Sequence, residues 1–234
     1  MKNISQDYMD DILVRMSHHS SAIENNTLTL PETVSIILHN TVPNKASLRE
    51  VYEIDNHRYA MEYLYAASTL EEDLTLDILF KTHELLMDKL HHERGMFKNQ
   101  ENFIRGAEFD TASPQETPML MKQWIDNVNY RLEVATSKAD VIELACESHI
   151  EFERIHPFAD GNGRTGRLLM NFLLLKKNIA PFIIDKKDKE RYVYFLATQD
   201  VADFCLYAEE KIQVEEKRMA AFSRNELNQD FDIE

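Results

Sequence analysis

Apolar residues recur at helical spacing through almost the whole of this sequence, and few residues interrupt the pattern. With only five glycines and six prolines, the chain is poor in turns and rich in helix formers. Ser47 and Glu50 form a capping box ahead of a long periodic segment, and TGRLLMNFLLLKK at 165–177 is apolar nearly all round, which is typical of a buried central helix. The sequence therefore predicts an all-α fold.

The same periodicity predicts where the individual helices lie. The predicted ranges are 6–23, 28–38, 47–67, 75–90, 117–132, 139–154, 165–177, 188–200 and 203–222. One segment departs from the pattern, because residues 95–112 place glycines on both sides of an aromatic and β-branched centre at Phe103 and Ile104. We predict a single β-hairpin there.

Charge and cysteine content exclude several classes of protein. A formal net charge of -15 argues against nonspecific nucleic-acid binding, which depends on Lys and Arg neutralising phosphates. Two cysteines do not make a disulfide framework. The N-terminus lacks an apolar signal segment, and no apolar run is long enough to span a membrane. We expect a cytoplasmic protein that binds neither nucleic acid nor membrane.

The run HPFADGNGRTGR at 156–167 concentrates cations and glycines in an otherwise acidic chain. Pro157 disfavours the α conformation at the preceding residue, so one helix ends at His156, and Gly161 and Gly163 allow a tight loop. The next helix, which starts near Arg164, presents unpaired N–H groups and a positive dipole end, where an anion binds well. Arg164 and Arg167 lie on one side of its first turn, which favours a polyphosphate.

A dinucleotide-binding loop is the first alternative for this run. Residues 161–166 satisfy G-x-G-x-x-G, and Asp185 lies about twenty residues further on. That fingerprint must follow a buried parallel strand, whereas ESHIEFERI before the run has helical period and four charges. The helix–loop–helix interpretation is therefore preferred.

Two residues of the run add chemistry to the predicted phosphate site. A carboxylate at Asp160 would repel phosphates unless Mg²⁺ lies between them, and Mg²⁺ is commonly held by one or two carboxylates plus phosphate oxygens. The imidazole of His156 can take a proton from an attacking hydroxyl. A base, a metal ligand and a phosphate site together predict the transfer of a phosphorus-containing group.

The run fills every defined position of H-x-F-x-[D/E]-G-N-G-R-x-x-R, and on that motif the chain resembles Fic-domain proteins. The resemblance implies an all-helical bundle with a β-hairpin flap. It also implies a protein adenylyltransferase that moves AMP from ATP to a Ser, Thr or Tyr hydroxyl of a target protein. On this basis we expect residues 46–222 to form the catalytic core. The acidic composition of the tail at 223–234 predicts that it is disordered.

The resemblance also implies roles for individual residues. His156 is the general base, Asp160 holds Mg²⁺, and Phe158 anchors the loop in the core. Five residues are expected to bind the ATP phosphates. Gly161, Asn162 and Gly163 contact the α- and β-phosphates, and Arg164 and Arg167 contact the β/γ end. ATP is the co-substrate and Mg²⁺ the cofactor.

A second motif, SSAIEN at 20–25, resembles the inhibitory motif that some Fic proteins carry in their N-terminal segment. The resemblance makes residues 1–45 an inhibitory segment packed on the core, with Ser20, Glu24 and Asn25 as its motif residues. A Glu24 carboxylate that pairs with Arg167 would occupy the cation meant for the γ-phosphate and leave ATP misaligned. The same carboxylate suggests a second activity, in which it orients a water that removes AMP from the modified target. By itself the segment also fits an ordinary amphipathic helix.

Two weaker assignments follow the resemblance. Phe103 and Ile104 of the predicted hairpin would hold an extended target segment by strand pairing, although an ordinary surface hairpin fits as well. Tyr192 matches an aromatic position near adenine, and Asn25 is a second candidate to approach the base, although Tyr192 also fits a core tyrosine.

Two alternative functions and several partners stay open. The chain could transfer a different phosphate-linked group, or it could be a nucleotide-binding interaction module without catalysis. The complete set of His156, Asp160, Asn162 and Arg167 favours an active enzyme. The target is a protein that presents a hydroxyl side chain, with the chain itself as one candidate, and a homo-oligomer is compatible with the sequence.

Overall fold

The structure, a computed structural model, describes residues 5–103 and 110–224, and this part of the chain consists of α-helices joined by loops. The helices are α1 Gln6–Ile23, α2 Leu30–His39, α3 Leu48–Thr69, α4 Leu76–Leu86, α5 Thr117–Val134, α6 Lys138–Ile155, α7 Asn162–Lys176, α8 Lys189–Thr198 and α9 Val201–Ser223. A 3₁₀ turn at Lys186–Asp188 precedes α8. The predicted all-α fold is confirmed for this part of the chain.

Side-chain caps fix several helix starts where the sequence predicts them. Ser47 accepts a hydrogen bond from the backbone N–H of Glu50, and the Glu50 carboxylate accepts one from the Ser47 N–H, which completes the predicted capping box. Thr75 caps α4 by accepting from the N–H of Ile78. These bonds satisfy N–H groups that a helix start leaves without an intrahelical partner.

Helix α7 forms the centre of the molecule. It is buried nearly all round, as its apolar sequence predicts, and it packs against α6, α3 and α4. Helices α5 and α9 cover the other side of α6, while α1 and α2 pack on α3. The N-terminus of α7 therefore lies between α6, α3 and α4, and α1 also reaches α7.

The predicted β-hairpin is not found in the part of 95–112 that the structure describes. Residues 95, 96, 99 and 100 are turns or bends, and 97–98, 101–103 and 110–113 carry no regular structure. The hydrogen bonds of this segment go elsewhere: Lys98 donates from its backbone N–H to the Pro157 carbonyl at 2.9 Å, and Asn102 Nδ2 donates to the Phe158 carbonyl at 2.8 Å. The segment is thus tied to the 156–158 backbone rather than to a partner strand. Ile104 and the rest of 104–109 lie outside the described residues.

Two further expectations concern the ends and surface of the molecule. Within the described ranges, no helix combines the length and apolarity that a bilayer crossing requires. The acidic tail expected to be disordered lies, from residue 225 onward, outside the described residues.

Candidate active site

The HPFADGNGRTGR run forms the loop between α6 and α7. Helix α6 ends at Ile155, and His156 caps it in the left-handed conformation with φ 51° and ψ 60°. Helix α7 begins at Asn162, two residues earlier than the sequence suggested, and Gly161 precedes it with φ 81°. A side chain at Gly161 would be strained at this φ and would meet Met87 Sδ at 2.6 Å. The chain reverses between the two helices within the residues of the motif.

Asn162 holds this loop in shape with its side chain. Its Oδ1 accepts from the Phe158 N–H at 2.8 Å, and its Nδ2 donates to the Phe158 carbonyl at 2.7 Å. Phe158 is fully buried, as predicted for an anchor. That Asn162 binds phosphate stays a prediction: its Oδ1 and one Nδ2 hydrogen hold the loop, which leaves its backbone N–H and its second Nδ2 hydrogen for a ligand.

His83 supports the same loop from α4. Its ring stacks on Phe158 with centroids 3.7 Å apart. Nδ1 accepts from the Gly95 N–H at 2.9 Å, so Nε2 carries the hydrogen and donates to the Asp160 carbonyl at 2.9 Å. Burial lowers the pKa of His83 to about 4, which keeps the imidazole neutral. Its place on an apolar helix face made it look like a core residue, and nothing in the sequence connects it to the loop.

The start of α7 is suited to an anion. No side chain caps it, and its first N–H groups lack intrahelical partners. The Arg164 side chain is only 3% exposed, and its Nε and Nη1 find no hydrogen-bond partner among the residues that the structure describes. Two carboxylates lie within ion-pair distance, Asp160 Oδ1 at 3.6 Å from Nη2 and Glu53 Oε1 at 4.0 Å from Nη1, but neither is close enough for a hydrogen bond. Buried donors left without an acceptor are costly unless an anion binds them. These orphaned donors fit a nucleotide phosphate.

Asp160 lies beside this anion site. Its Oδ1 accepts from the Gly161 N–H at 2.6 Å, and its Oδ2 accepts from Arg49 Nη2 at 3.3 Å. Partial burial acts to raise the pKa of Asp160, but Arg164, the Gly161 N–H and Arg49 hold it below its usual value, so the carboxylate is charged. Among the described residues, no group of three or more His, Cys, Asp or Glu side chains could hold a metal ion alone. One charged carboxylate next to a phosphate site fits Mg²⁺, which is often held by a carboxylate and nucleotide phosphates.

His156 is oriented by its own helix. Its Nδ1 lies 3.3 Å from the Glu153 carbonyl oxygen and 3.6 Å from the Glu153 carboxylate Oε2. Both neighbours are acceptors, so Nδ1 carries the hydrogen and Nε2 has the lone pair. His156 is therefore in the tautomer that a general base requires.

Arg167 is enclosed by the last turn of α1. Its Nε donates to Ser20 Oγ at 3.0 Å, and its Nη2 donates to the Ser20 carbonyl at 2.9 Å and to Glu24 Oε1 at 2.8 Å. The predicted contact between Glu24 and Arg167 is thus present. A Cβ at Gly163 would run into Glu24 Oε1, so glycine is what allows the carboxylate to come this close to the start of α7.

The structure also gives the surroundings of the residues assigned to adenine and to the target protein. Tyr192 is 3% exposed, and its hydroxyl accepts from Arg167 Nη1 at 3.3 Å and lies 2.8 Å from His149 Nε2. Its ring is a core ring in this conformation, so it is not open to stack on adenine. Asn25 follows the end of α1 with φ 72°, and its Oδ1 accepts from Lys189 Nζ at 3.0 Å. Phe103 is 82% exposed, as a residue that meets a target would be.

The fold and the loop define a helical domain built around an anion-binding turn with a base, a carboxylate and two arginines. Residues 73–174 match the sequence model described as the Fic/DOC family. The fold superposes on a Fic domain containing signaling protein from Bacteroides thetaiotaomicron with a TM-score of 0.84 and 26% identity, over 92% of this chain and 89% of that one. A Fic family protein from Desulfovibrio desulfuricans gives a TM-score of 0.73 and 28% identity, over 98% and 70%. The chain therefore carries a domain of the Fic/DOC family.

A curated relative extends the comparison at the sequence level. The protein named Protein adenylyltransferase Fic of Drosophila willistoni is 31% identical over 80% of this chain. The chain spans only 36% of the length of that relative. The similarity thus concerns the shared domain and not the whole of the longer protein.

Proposed function

We propose that this protein is an adenylyltransferase that moves AMP from ATP to a hydroxyl side chain of a target protein. The observation that carries the proposal is the arrangement at the start of α7, where the orphaned donors of Arg164, the carboxylate of Asp160 and the correctly protonated His156 meet at one loop. The name of the Drosophila relative supports the same reaction.

The reaction assigns a task to each part of the loop. The acceptor oxygen bonds to the α-phosphorus of ATP while its proton passes to Nε2 of His156, and the bond from the α-phosphorus to the bridging oxygen breaks. The products are the adenylylated target and pyrophosphate. Backbone N–H groups of Asn162 and Gly163 and the guanidinium of Arg164 bind the phosphates, and Arg167 binds their β/γ end. The Gly161 N–H donates to Asp160 Oδ1 in this structure and would have to leave that carboxylate to bind a phosphate. Mg²⁺, held by Asp160 and the phosphates, would neutralise charge on the leaving pyrophosphate.

The contact between Glu24 and Arg167 makes the resting protein self-inhibited in this proposal. Arg167 is 5% exposed, and all three of its nitrogens already donate to Ser20, Glu24 or Tyr192. A γ-phosphate would have to displace the Glu24 carboxylate, and with Glu24 in place the repulsion of two negative charges would turn the α-phosphorus out of line with the attacking hydroxyl. A small misplacement of this kind costs about 10²-fold in rate.

Labelled ATP tests the proposal. Wild type, Glu24→Gly and His156→Ala are incubated with α-labelled ATP, Mg²⁺ and cell lysate, and mass spectrometry identifies the added group. We expect Glu24→Gly to raise the rate of AMP incorporation by about 10²-fold and His156→Ala to abolish it. Glu71→Gly is a matched control, because it makes the same exchange at the end of α3, beside Leu175 and Lys176 at the far end of α7.

Three outcomes would redirect the proposal. Equal rates in wild type and Glu24→Gly would remove self-inhibition. An added mass other than that of AMP would indicate transfer of a different phosphate-linked group. Cellular effects that persist unchanged in His156→Ala would indicate a nucleotide-binding interaction module without catalysis.

Removal of AMP is a second proposed activity of the same site. Glu24 binds Arg167 through Oε1 while its side chain is 39% exposed, so the carboxylate is accessible to a water near the phosphate position. Such a carboxylate could orient that water toward the phosphorus of an adenylylated target. Glu24→Gly should then lose the release of labelled AMP from a premodified target while it gains transfer; release at the wild-type rate would contradict this role.

A further inference from the structure

Glu153 is a buried carboxylate in the active site that the motif does not include. It lies one turn before His156 on α6 and is 6% exposed. Its Oε2 is 3.6 Å from His156 Nδ1, and its Oε1 finds no hydrogen-bond partner within residues 5–103 and 110–224. A buried carboxylate with an unsatisfied oxygen is costly, so the contact with His156 needs an explanation beyond helix stability.

The surroundings of Glu153 keep it charged. Burial alone would raise the pKa of Glu153, but the contact with His156 and the nearby His149 and Arg167 hold it below its usual value. His149 is itself neutral near pH 7, since burial lowers its pKa to about 4. The hydroxyl of Tyr192 accepts from Arg167 Nη1 and lies 2.8 Å from His149 Nε2. Of the groups that lower the pKa of Glu153, Arg167 is the one with a permanent charge, and the proton that Glu153 can stabilise is the one on His156.

We propose that Glu153 is a positioning residue for the proposed general base: it holds the Nδ1–H of His156 and stabilises the imidazolium that forms during transfer. This inference rests on the proposed function for its role in catalysis. When the acceptor hydroxyl gives its proton to Nε2, the ring becomes positive and its Nδ1–H faces Glu153 Oε2. In this structure Nδ1 lies 3.3 Å from the Glu153 carbonyl oxygen, and its 3.6 Å separation from Oε2 is longer than a hydrogen bond. Under the proposal, this separation closes when the ring gains charge. Glu153 stays ionised throughout and takes no proton.

Other charged groups lie near the pair formed by His156 and Glu153. From its own helix Glu153 faces the ring, and Arg167 reaches the same group from α7. From the 96–103 loop, Lys98 Nζ donates to the Ile155 carbonyl at 3.3 Å, so a second cation lies at the end of α6. Glu153 is the carboxylate that lies beside His156 Nδ1 among these charges.

The test measures the imidazole itself by ¹⁵N NMR, with His156→Ala to assign the signal. In wild type the neutral ring should carry its hydrogen on Nδ1, and in Glu153→Gln the titration midpoint of His156 should fall by about one pH unit. Glu143→Gln is the matched control, because Glu143 is an exposed carboxylate on the same helix. It should leave the midpoint unchanged.

Kinetics provide the second measurement. In a Glu24→Gly background, Glu153→Gln should lower kcat for AMP transfer by at least about tenfold with little change in the KM for ATP. An unchanged midpoint and kcat in Glu153→Gln would overturn the role of Glu153. A hydrogen on Nε2 in wild type would overturn it as well, even if the variant failed to fold. If the midpoint falls but neither protein transfers AMP, positioning of His156 stands and the proposed function fails.

Discussion

Two arginines near the start of α7, Arg164 and Arg167, differ in how their charges are satisfied. Arg167 donates to Ser20, Glu24 and Tyr192. Arg164 lies as deep, but its Nε and Nη1 have no hydrogen-bond partner in the described part of the chain, and Nη1 is 4.0 Å from Glu53 Oε1. The protein thus keeps one cation occupied by its own residues and leaves the other unsatisfied at the proposed phosphate site.

This difference predicts an unusual result for Arg164→Met. Replacing a poorly paired buried cation with an apolar side chain of similar length is often neutral or stabilising, so the unliganded variant should melt within a few degrees of wild type. Its KM for ATP should rise by at least about tenfold, because charge-assisted hydrogen bonds to phosphate are lost. The measurements are melting temperatures with and without a nonhydrolysable ATP analogue and Mg²⁺, and transfer kinetics.

The Arg164→Met experiment has a matched control at the other end of α7. Lys176→Met removes a cation from the other end of α7, where Lys176 pairs with the exposed Asp73, and should leave the nucleotide-induced rise in melting temperature intact. If Arg164→Met is strongly destabilised without nucleotide yet binds ATP as wild type does, Arg164 has a structural role only.

For individual residues, the sequence predicts those within the HPFADGNGRTGR motif better than those outside the motif that contact its loop. His156 and Arg167 occupy the positions that the motif suggests, and the contact of Glu24 with Arg167 is present. Glu153 and His83 were not recognised as part of the site, because their spacing fits an ordinary amphipathic helix face. Only packing of α6 and α4 against the loop brings them to it.

At the scale of elements, α1 is held at both ends. Near its C-terminus Ser20 and Glu24 contact Arg167. In its N-terminal half, a partly buried set of charges, which we call the α1–α9 ion cluster, joins it to the last helix; the two carboxylates are buried, and the two arginine side chains are 18% and 36% exposed. The cluster consists of Asp11 and Arg15 on α1 and Glu215 and Arg218 on α9, with Arg15 Nη2 2.6 Å from Glu215 Oε1 and Arg218 Nη2 2.6 Å from Asp11 Oδ1. Release of α1 from Arg167 is therefore opposed by contacts far from the loop.

Glu215→Gln should weaken this second attachment. Arg15 keeps Asp11 but loses its charged partner on α9, so we expect the free energy of unfolding to fall by about 1–3 kcal/mol. If α1 restrains the site as proposed, AMP incorporation should also rise, by less than in Glu24→Gly, because the contact with Arg167 remains. Urea unfolding and labelled-ATP incorporation measure the two effects.

The neighbouring residue supplies the control. Glu216 pairs with Lys138 at 2.6 Å, but both side chains are about half exposed, and exposed pairs contribute little. Glu216→Gln should change neither stability nor activity. A Glu215→Gln protein that is destabilised but shows no gain in AMP incorporation would separate the α1–α9 ion cluster from regulation of the site.

Helix positions were largely predictable because local signals determine them. Helix α1 has the predicted bounds, and the caps at Ser47 and Thr75 lie where the pattern places them. The β-hairpin prediction was wrong for the described part of 95–112. Its aromatic and β-branched centre resembled a strand, but Lys98 and Asn102 bond to the 155–158 backbone, a partner that a local pattern cannot reveal.

At the scale of the whole molecule, an acidic surface encloses buried neutral histidines. The net charge is -15 and the isoelectric point is about 5.0. Four histidines are at most 3% exposed, and burial lowers the pKa of each to about 3 or 4; these are His18, His57, His83 and His149. The two features oppose one another when the pH falls from neutral. Loss of net negative charge relieves repulsion in the folded protein, whereas the histidines favour the unfolded chain.

We expect the histidines to determine the result, so that stability falls as the pH drops from about 6.5 to about 4. In that window an exposed histidine in the unfolded chain binds a proton, while the buried one does not, and the unfolded state gains up to about 1.4 kcal/mol per pH unit for each group. Repulsion between surface charges is weaker, because salt at 0.15 M screens it beyond about 8 Å. Urea unfolding at a series of pH values measures the slope. His57→Gln should reduce the slope of the free energy of unfolding against pH by up to the contribution of one buried histidine, since His57 is fully buried. His92→Gln should leave that slope unchanged, since the His92 side chain is 86% exposed. A free energy of unfolding that stays level or rises between pH 6.5 and 4.5 would mean that relief of surface repulsion outweighs the buried imidazoles.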